Sequence, residues 1–207
     1  MSSTNRSNSR KKHEADYYVT PINEIETFLK EFDKKECVYY WSNCLILDVS
    51  AGGNKEVKDE QGNMIKPYHP MSYPTAIKNV FGECDVRTYD IREDSLAGIK
   101  GDYLDLELKS LEPDIIITNP PFSLSMEFIK KALDDVRHGG YVIMLLRLNF
   151  LETKARKKFF EEYMPQYIFV HHKRMSFTDD KKTDSCAYCH MVWKKDYYPE
   201  FAKIKVI

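Results

Sequence analysis

No apolar run in the 207-residue chain approaches the ~20 residues that cross a bilayer, and the polar N-terminus lacks a signal-peptide core. The expectation is a cytoplasmic protein without membrane contact, whose five cysteines stay reduced. A dominant charge is also missing. Lys and Arg number 31 against 32 Asp and Glu, so any affinity for nucleic acid must come from local patches rather than a global field. Gly-x-Gly-x-x-Gly does not occur and no Gly-Lys-Ser/Thr follows a strand, which disfavours dinucleotide and ATP phosphate loops. There is no internal repeat, and 207 residues leave no room for a substantial second domain. What remains is an ordinary globular composition, 43% apolar and 30% charged.

Strands and helices alternate along the chain. Residues 1–13 are Ser/Asn-rich and basic, and read as a disordered arm ahead of one domain over 14–207. Ile22, Ile25, Phe28, Leu29 and Phe32 follow helical spacing. Leu45–Leu47 reads as a strand that ends at Asp48 and a Gly pair, and a polar loop follows from Asn54 to Tyr73. A short helix is expected over Pro74–Phe81, and strands over Asp85–Asp90, Asp114–Thr118 and Tyr141–Leu146. Further helices are expected over Glu127–Val136 and Leu151–Tyr163. The runs Gln166–Lys173 and Ala187–Lys194 have no helix between them and suit an antiparallel hairpin. This order predicts an α/β fold with an open, mostly parallel sheet covered by helices on both faces. Ligands in such sheets sit beyond the carboxyl ends of the strands, where strand order reverses.

The chemistry-bearing residues fall at those ends. Asp48-Val-Ser50-Ala-Gly52-Gly53 is either an ordinary tight turn or one that brings backbone close to a nucleotide-like ligand. Asp90 ends a strand, where an acid can accept both ribose hydroxyls; Glu93 and Asp94 compete for the role, and a solvated loop acid is the alternative. Asp102 is equally open when taken alone.

Asn119-Pro120-Pro121-Phe122 is the most informative stretch. An amine conjugated to an aromatic ring is a poor nucleophile because its lone pair is delocalised. The Asn119 amide oxygen and the Pro120 carbonyl can accept its two N–H groups and draw the nitrogen toward tetrahedral geometry. Two prolines fix φ and hold those acceptors in place beforehand. Phe122 offers a flat face to a base, worth roughly 1–3 kcal/mol. The bland alternative is a strand-terminating Pro-Pro loop with a core Phe.

Asn119-Pro-Pro-Phe122 resembles the catalytic tetrapeptide of the N6-adenine DNA methyltransferases, within the Rossmann-like class I fold dependent on S-adenosyl-L-methionine, and is closest to the small enzymes that bacteriophages encode. The resemblance runs from Asp16-Tyr-Tyr-Val-Thr-Pro21 to Val192-Trp193. It implies a seven-stranded sheet with a C-terminal antiparallel hairpin, S-adenosylmethionine as cofactor, DNA as partner with no obligate protein partner, and the host cytoplasm as location if a phage encodes the chain. It places Tyr17 and Thr20 beside the methionine end of the cofactor, Asp48, Ser50 and Gly52 in the cofactor turn, Asp90 on the ribose, and Asp102 with Tyr103 on the adenine. Asn119, Pro120, Pro121 and Phe122 would carry the chemistry. Arg174–Thr178 with Lys182–Ser185 resembles the late base-pocket segment, making Phe177 a second stacking face. The turn departs from the broader family by lacking Asp-Pro and by carrying Asn54 where a Gly is usual, and the polar insertion at 54–73 separates it from its helix. Asn-Pro-Pro-aromatic also serves protein glutamine amides and RNA bases, and a relative that binds nucleic acid without catalysis is a third reading.

Two further clusters have plainer readings. Cys186-Ala-Tyr-Cys189-His190, with His171 and His172, has the composition of a zinc site, but strand alternation puts Cys186 and Cys189 on opposite faces, so no metal is expected. His172, Lys173 and Arg174, with Lys181 and Lys182, are the candidate phosphate contacts.

Overall fold

Two side-chain periods build the fold. In the computed structural model, which describes residues 19–36, 41–179 and 182–207, helix α1 (Ile22–Glu36) buries Ile25, Phe28, Leu29 and Phe32, a stripe at 3.6-residue spacing. The strands use a period of two. In β1 (Leu45–Asp48), Ile46 joins the core layer beneath α1 while Leu47 joins the layer on the opposite face. After β1 come a hairpin, β2 (Val57–Lys58) and β3 (Met64–Lys66), then α2 (Ser72–Phe81), β4 (Asp85–Asp90) and β5 (Ile99–Lys100). The chain continues through β6 (Ile115–Thr118), α3 (Ser125–Asp135), β7 (Tyr141–Arg147), α4 (Lys154–Glu162), β8 (Tyr167–Val170), β9 (Tyr188–Lys194) and β10 (Lys203–Val206).

Among the described residues, eight strands form one sheet in the order β10-β8-β9-β7-β6-β1-β4-β5. β1 runs parallel to β4 on one side and to β6 on the other, so the chain reverses its direction of travel between β1 and β6. β9 lies antiparallel between β7 and β8. All four residues of β6 are buried, as a strand covered on both faces requires: Ile115 and Ile117 face the α1–α2 layer, Ile116 the α3–α4 layer.

The mostly parallel sheet, its two helical layers and the antiparallel β8–β9 pair are as the sequence predicts; three details differ. An eighth strand, β10, pairs parallel with β8. It is exposed at every residue, so it lacks the buried apolar run that marks β1, β6, β7, β8 and β9. The polar stretch after the Gly pair is not all loop: Asp59 Oδ1 accepts from the Gln61 and Asn63 amides at 3.0 and 2.7 Å, which turns the chain into the β2–β3 hairpin. Helix α2 starts at Ser72, two residues before Pro74. Proline is tolerated in a first turn, where its missing N–H has no intrahelical partner to lose. Among the described residues no helix is long and apolar enough to cross a membrane.

Candidate active site

The carboxyl ends of β1, β4 and β6 converge on one cleft. It encloses ≈ 590 Å³ of space, its open mouth included, and its wall holds Thr20, Ser50, Gly52, Gly53, Asp90, Arg92, Asn119, Pro120 and Pro121. Asp48 lies beneath it, fully buried. Its Oδ1 accepts from Thr118 Oγ1 at 2.7 Å and from the Ser50 amide at 3.3 Å. Its Oδ2 has no hydrogen-bond partner among the described residues. Burial pushes this carboxyl up to about 7; the Thr118 and Ser50 bonds oppose the rise and the Asp90 charge adds to it.

The turn above Asp48 needs its glycines. Gly52 and Gly53 have φ of 64° and 70°. A Cβ on Gly53 would meet Leu96 Cδ1, Met71 Cγ and the Met71 backbone nitrogen, each at 3.1 Å. Asp90 fastens this turn to β4, because its Oδ2 accepts from the Gly52 amide at 2.7 Å and its Oδ1 from the Arg92 amide at 2.8 Å. Of the three competing acids, Asp90 is the one on the cleft wall. Asp94 pairs instead with Lys66 and Arg92. Asn54, where the resemblance leads one to expect glycine, closes the base of the hairpin: its Nδ2 donates to the Lys55 and Pro67 carbonyls at 2.9 and 2.6 Å. An amide side chain at this position thus pins the inserted hairpin.

At the end of β6 the two prolines stop the ladder and Asn119 turns into the cleft. Asn119 Nδ2 donates to Thr20 Oγ1 at 3.0 Å. With the amide nitrogen committed to Thr20, the oxygen Oδ1 points away from it, buried and unpartnered among the described residues. Phe122 opens the short turn that leads into α3. The Arg147 guanidinium lies 4.7 Å from its ring centre, and Tyr188 packs against it at 5.9 Å. Arg147 Nε donates to the Tyr188 hydroxyl at 3.2 Å, and that hydroxyl donates to Asp184 at 2.7 Å.

Not every residue the sequence singles out reaches this cleft. Tyr103 is buried in the core beneath α3, where its hydroxyl donates to Asp135 at 2.9 Å and its ring packs on Phe128. Asp102 caps the short turn at Tyr103 by accepting from the Leu104 amide. Neither lines the cleft, whose wall beyond Asp90 is Ile91 and Arg92. Phe177 is only 7% exposed, packed under Tyr188 with Met175, so it supports Tyr188 rather than offering an open face beside Phe122. His172, Lys173, Arg174 and Lys182 are exposed on the segment between β8 and β9. Tyr17, Lys181 and the basic arm lie outside the described residues.

The sequence reading missed Arg92, whose Nη2 donates to the Gly53 carbonyl at 3.1 Å, and the Arg147–Tyr188–Asp184 group around Phe122. Nothing local in the sequence marks them, because each acquires its place through the sheet. The Cys/His cluster is split between layers: Cys189 is in the α3–α4 core, Cys186 packs near Phe177, and His190 points toward α1. Among the described residues no group of three or more His, Cys, Asp or Glu is placed to hold a metal ion.

No protein-family model and no curated protein matches the chain. Solved structures do. A type I restriction-modification methyltransferase subunit from Streptococcus thermophilus superposes with a TM-score of 0.63 at 10% identity, over 91% of this chain and 47% of its own. A protein from Listeria monocytogenes, assigned as a class I S-adenosylmethionine-dependent methyltransferase, gives 0.62 at 15% identity over 91% and 65%. One from Pyrococcus horikoshii, assigned as an RNA methyltransferase, gives 0.59 at 15% identity over 87% and 88%. The chain thus spans only 65% and 47% of the lengths of the Listeria and Streptococcus proteins. At these identities the likeness shows the fold, which is the Rossmann-like fold of the class I methyltransferases.

Proposed function

We infer that the chain transfers a methyl group from S-adenosylmethionine to the exocyclic N6 amine of adenine in DNA. The carrying observation is Asn119: its nitrogen is held by Thr20, and its buried oxygen has no partner among the described residues, at the end of a strand stiffened by Pro120 and Pro121. An amide oxygen so held is an acceptor for an N–H group that the described residues do not provide, and the adjacent Pro120 carbonyl supplies the second acceptor.

The cleft suits the cofactor. Asp90 offers negative charge to a cation from the cleft wall, with the buried Asp48 beneath it; Gly52 and Gly53 allow close backbone approach, and Ser50 and Ile91 complete the wall. When bound, S-adenosylmethionine supplies an electrophilic methyl carbon; the protein supplies the rest. Asn119 and Pro120 hold the amine with its lone pair directed into the cleft, and Asp90 accepts from the ribose hydroxyls while keeping its bonds to the turn. Thr20 fixes which end of the Asn119 amide faces the substrate. The base leaves the helical stack at a cost of about a few kcal/mol. It rests against Phe122, backed by Arg147 and Tyr188. The exposed His172, Lys173, Arg174 and Lys182 meet phosphates beside that pocket. The restriction-modification likeness supports DNA as acceptor; the Pyrococcus likeness, over 88% of that protein, supports an RNA base as the second reading.

Asn119→Ala tests the assignment. Transfer should fall by about 10²–10³, the usual effect of removing one preorganised polar group, while cofactor affinity measured by calorimetry stays near wild type. Near-normal turnover would contradict it.

A further inference from the structure

Four polar side chains run in single file from the cleft to the protein surface, and the mechanism above uses none of them. Tyr73, in the first turn of α2, lines the cleft, and its hydroxyl lies 3.0 Å from His190 Nε2. His190 Nδ1 lies 2.8 Å from His171 Nε2, and His171 Nδ1 lies 3.2 Å from Glu24 Oε2. His190 and His171 are 0% and 2% exposed, and Phe28 stacks on the His190 ring at 4.1 Å. Glu24, in the first turn of α1, keeps 14% of its side chain open to solvent. Two imidazoles buried against a layer of aliphatic and aromatic side chains carry a desolvation cost that packing alone does not require.

One set of tautomers satisfies every link. The Glu24 carboxylate only accepts, so His171 Nδ1 carries a hydrogen. In a neutral ring His171 Nε2 then accepts, so His190 Nδ1 carries one, His190 Nε2 accepts, and Tyr73 donates. Burial keeps both rings neutral by lowering their affinity for a second proton; at His171 the Glu24 charge opposes this and His172 reinforces it. Burial, with the charge of Asp48 nearby, also holds Tyr73 far above its ordinary value, so it gives up its proton only as it receives another. The donors all point outward.

We propose that Tyr73, His190, His171 and Glu24 form the exit path for the proton that methyl transfer releases, an inference that rests on the function proposed above. The amine lone pair forms the new N–C bond as the S–C bond breaks, its electron pair staying on sulfur. One N–H proton on the methylated nitrogen is then in excess. Asn119 Oδ1 and the Pro120 carbonyl hold hydrogens there but are too weakly basic to take one. The proton passes to the Tyr73 oxygen as the Tyr73 hydroxyl proton moves to His190 Nε2. The His190 Nδ1 proton moves to His171 Nε2, and the His171 Nδ1 proton to Glu24, which releases it to solvent. Both rings end neutral in the opposite tautomer.

The test is a single-turnover stopped-flow experiment with a pH indicator in weak buffer, using excess enzyme and S-adenosylmethionine on mixed-sequence duplex DNA. Parallel quenched samples measure methylated adenine. In wild type the proton should appear in solvent with the rate constant of methylation. In Tyr73→Phe, and in Glu24→Gln at the surface end, it should lag methylation within the same variant by about tenfold or more. Proton release in step with methylation in both variants overturns the relay and leaves the methyltransferase reading standing. No methylated adenine in wild type overturns that reading, and the relay with it.

Discussion

Asp48→Asn should raise the stability of the cofactor-free protein, and by an amount that depends on pH. The native carboxyl is raised from 3.8 to about 7 because it is fully buried, with Thr118 and Ser50 offsetting only part of the cost. The native state therefore binds the Asp48 proton more tightly than the unfolded chain does. Between about pH 4 and about pH 7 the native state holds more protons, so stability falls as pH rises through that window, and the full penalty stands above it. About three units at ~1.36 kcal/mol each give roughly 4 kcal/mol as an upper bound. Asparagine keeps an oxygen for Thr118 and Ser50 and carries no charge at any pH. Urea unfolding at about pH 5 and about pH 8 should show a variant advantage of at most about 1.7 kcal/mol at the lower pH that grows toward roughly 4 kcal/mol at the higher. An advantage that stays constant with pH, or a variant less stable at both, would refute the reasoning. The penalty makes sense only if the charge is put to use, so the same variant should bind S-adenosylmethionine more weakly.

Asp90→Ala removes the shared acceptor of the Gly52 and Arg92 amides, so it should destabilise the fold by about 1–3 kcal/mol and also weaken cofactor binding in calorimetry. Unchanged affinity would remove Asp90 from the ribose. Phe122→Ala should lose roughly 1–3 kcal/mol of transition-state stabilisation in single-turnover methylation, and Phe122→Trp should recover part of it. The Phe122→Ala loss should shrink on duplexes whose adenine is mispaired, where part of the unstacking cost is already met. Equal rates on paired and mispaired DNA in wild type and Phe122→Ala would argue against base extrusion.

Strand ends were the legible part of this chain. Ile-Ile-Ile-Thr followed by Asn-Pro-Pro states a buried strand, its stop and a stiffened acceptor in seven residues, and the structure puts that acceptor in the cleft. Asp90 was readable as a strand-end acid, but its bond to the Gly52 amide spans 38 positions and was not. The resemblance puts Tyr103 on the adenine, whereas the fold bonds its hydroxyl to Asp135 and packs its ring on Phe128, contacts 32 and 25 positions away that no local pattern marks. The Thr20–Asn119 and Tyr73–His190 contacts join residues 99 and 117 positions apart, and no local pattern encodes a partner at that distance. β10 escaped notice for a different reason: a fully exposed edge strand carries no burial signal.

The central claim is tested most directly by identifying the methylated group. The protein is incubated with methyl-labelled S-adenosylmethionine and, separately, with DNA, RNA and protein acceptors, and the modified residue is assigned by mass spectrometry. The account predicts label on the N6 amine of adenine in DNA, and its loss in Asn119→Ala. Label confined to a glutamine amide or an RNA base, or label on DNA that survives Asn119→Ala undiminished, would contradict it.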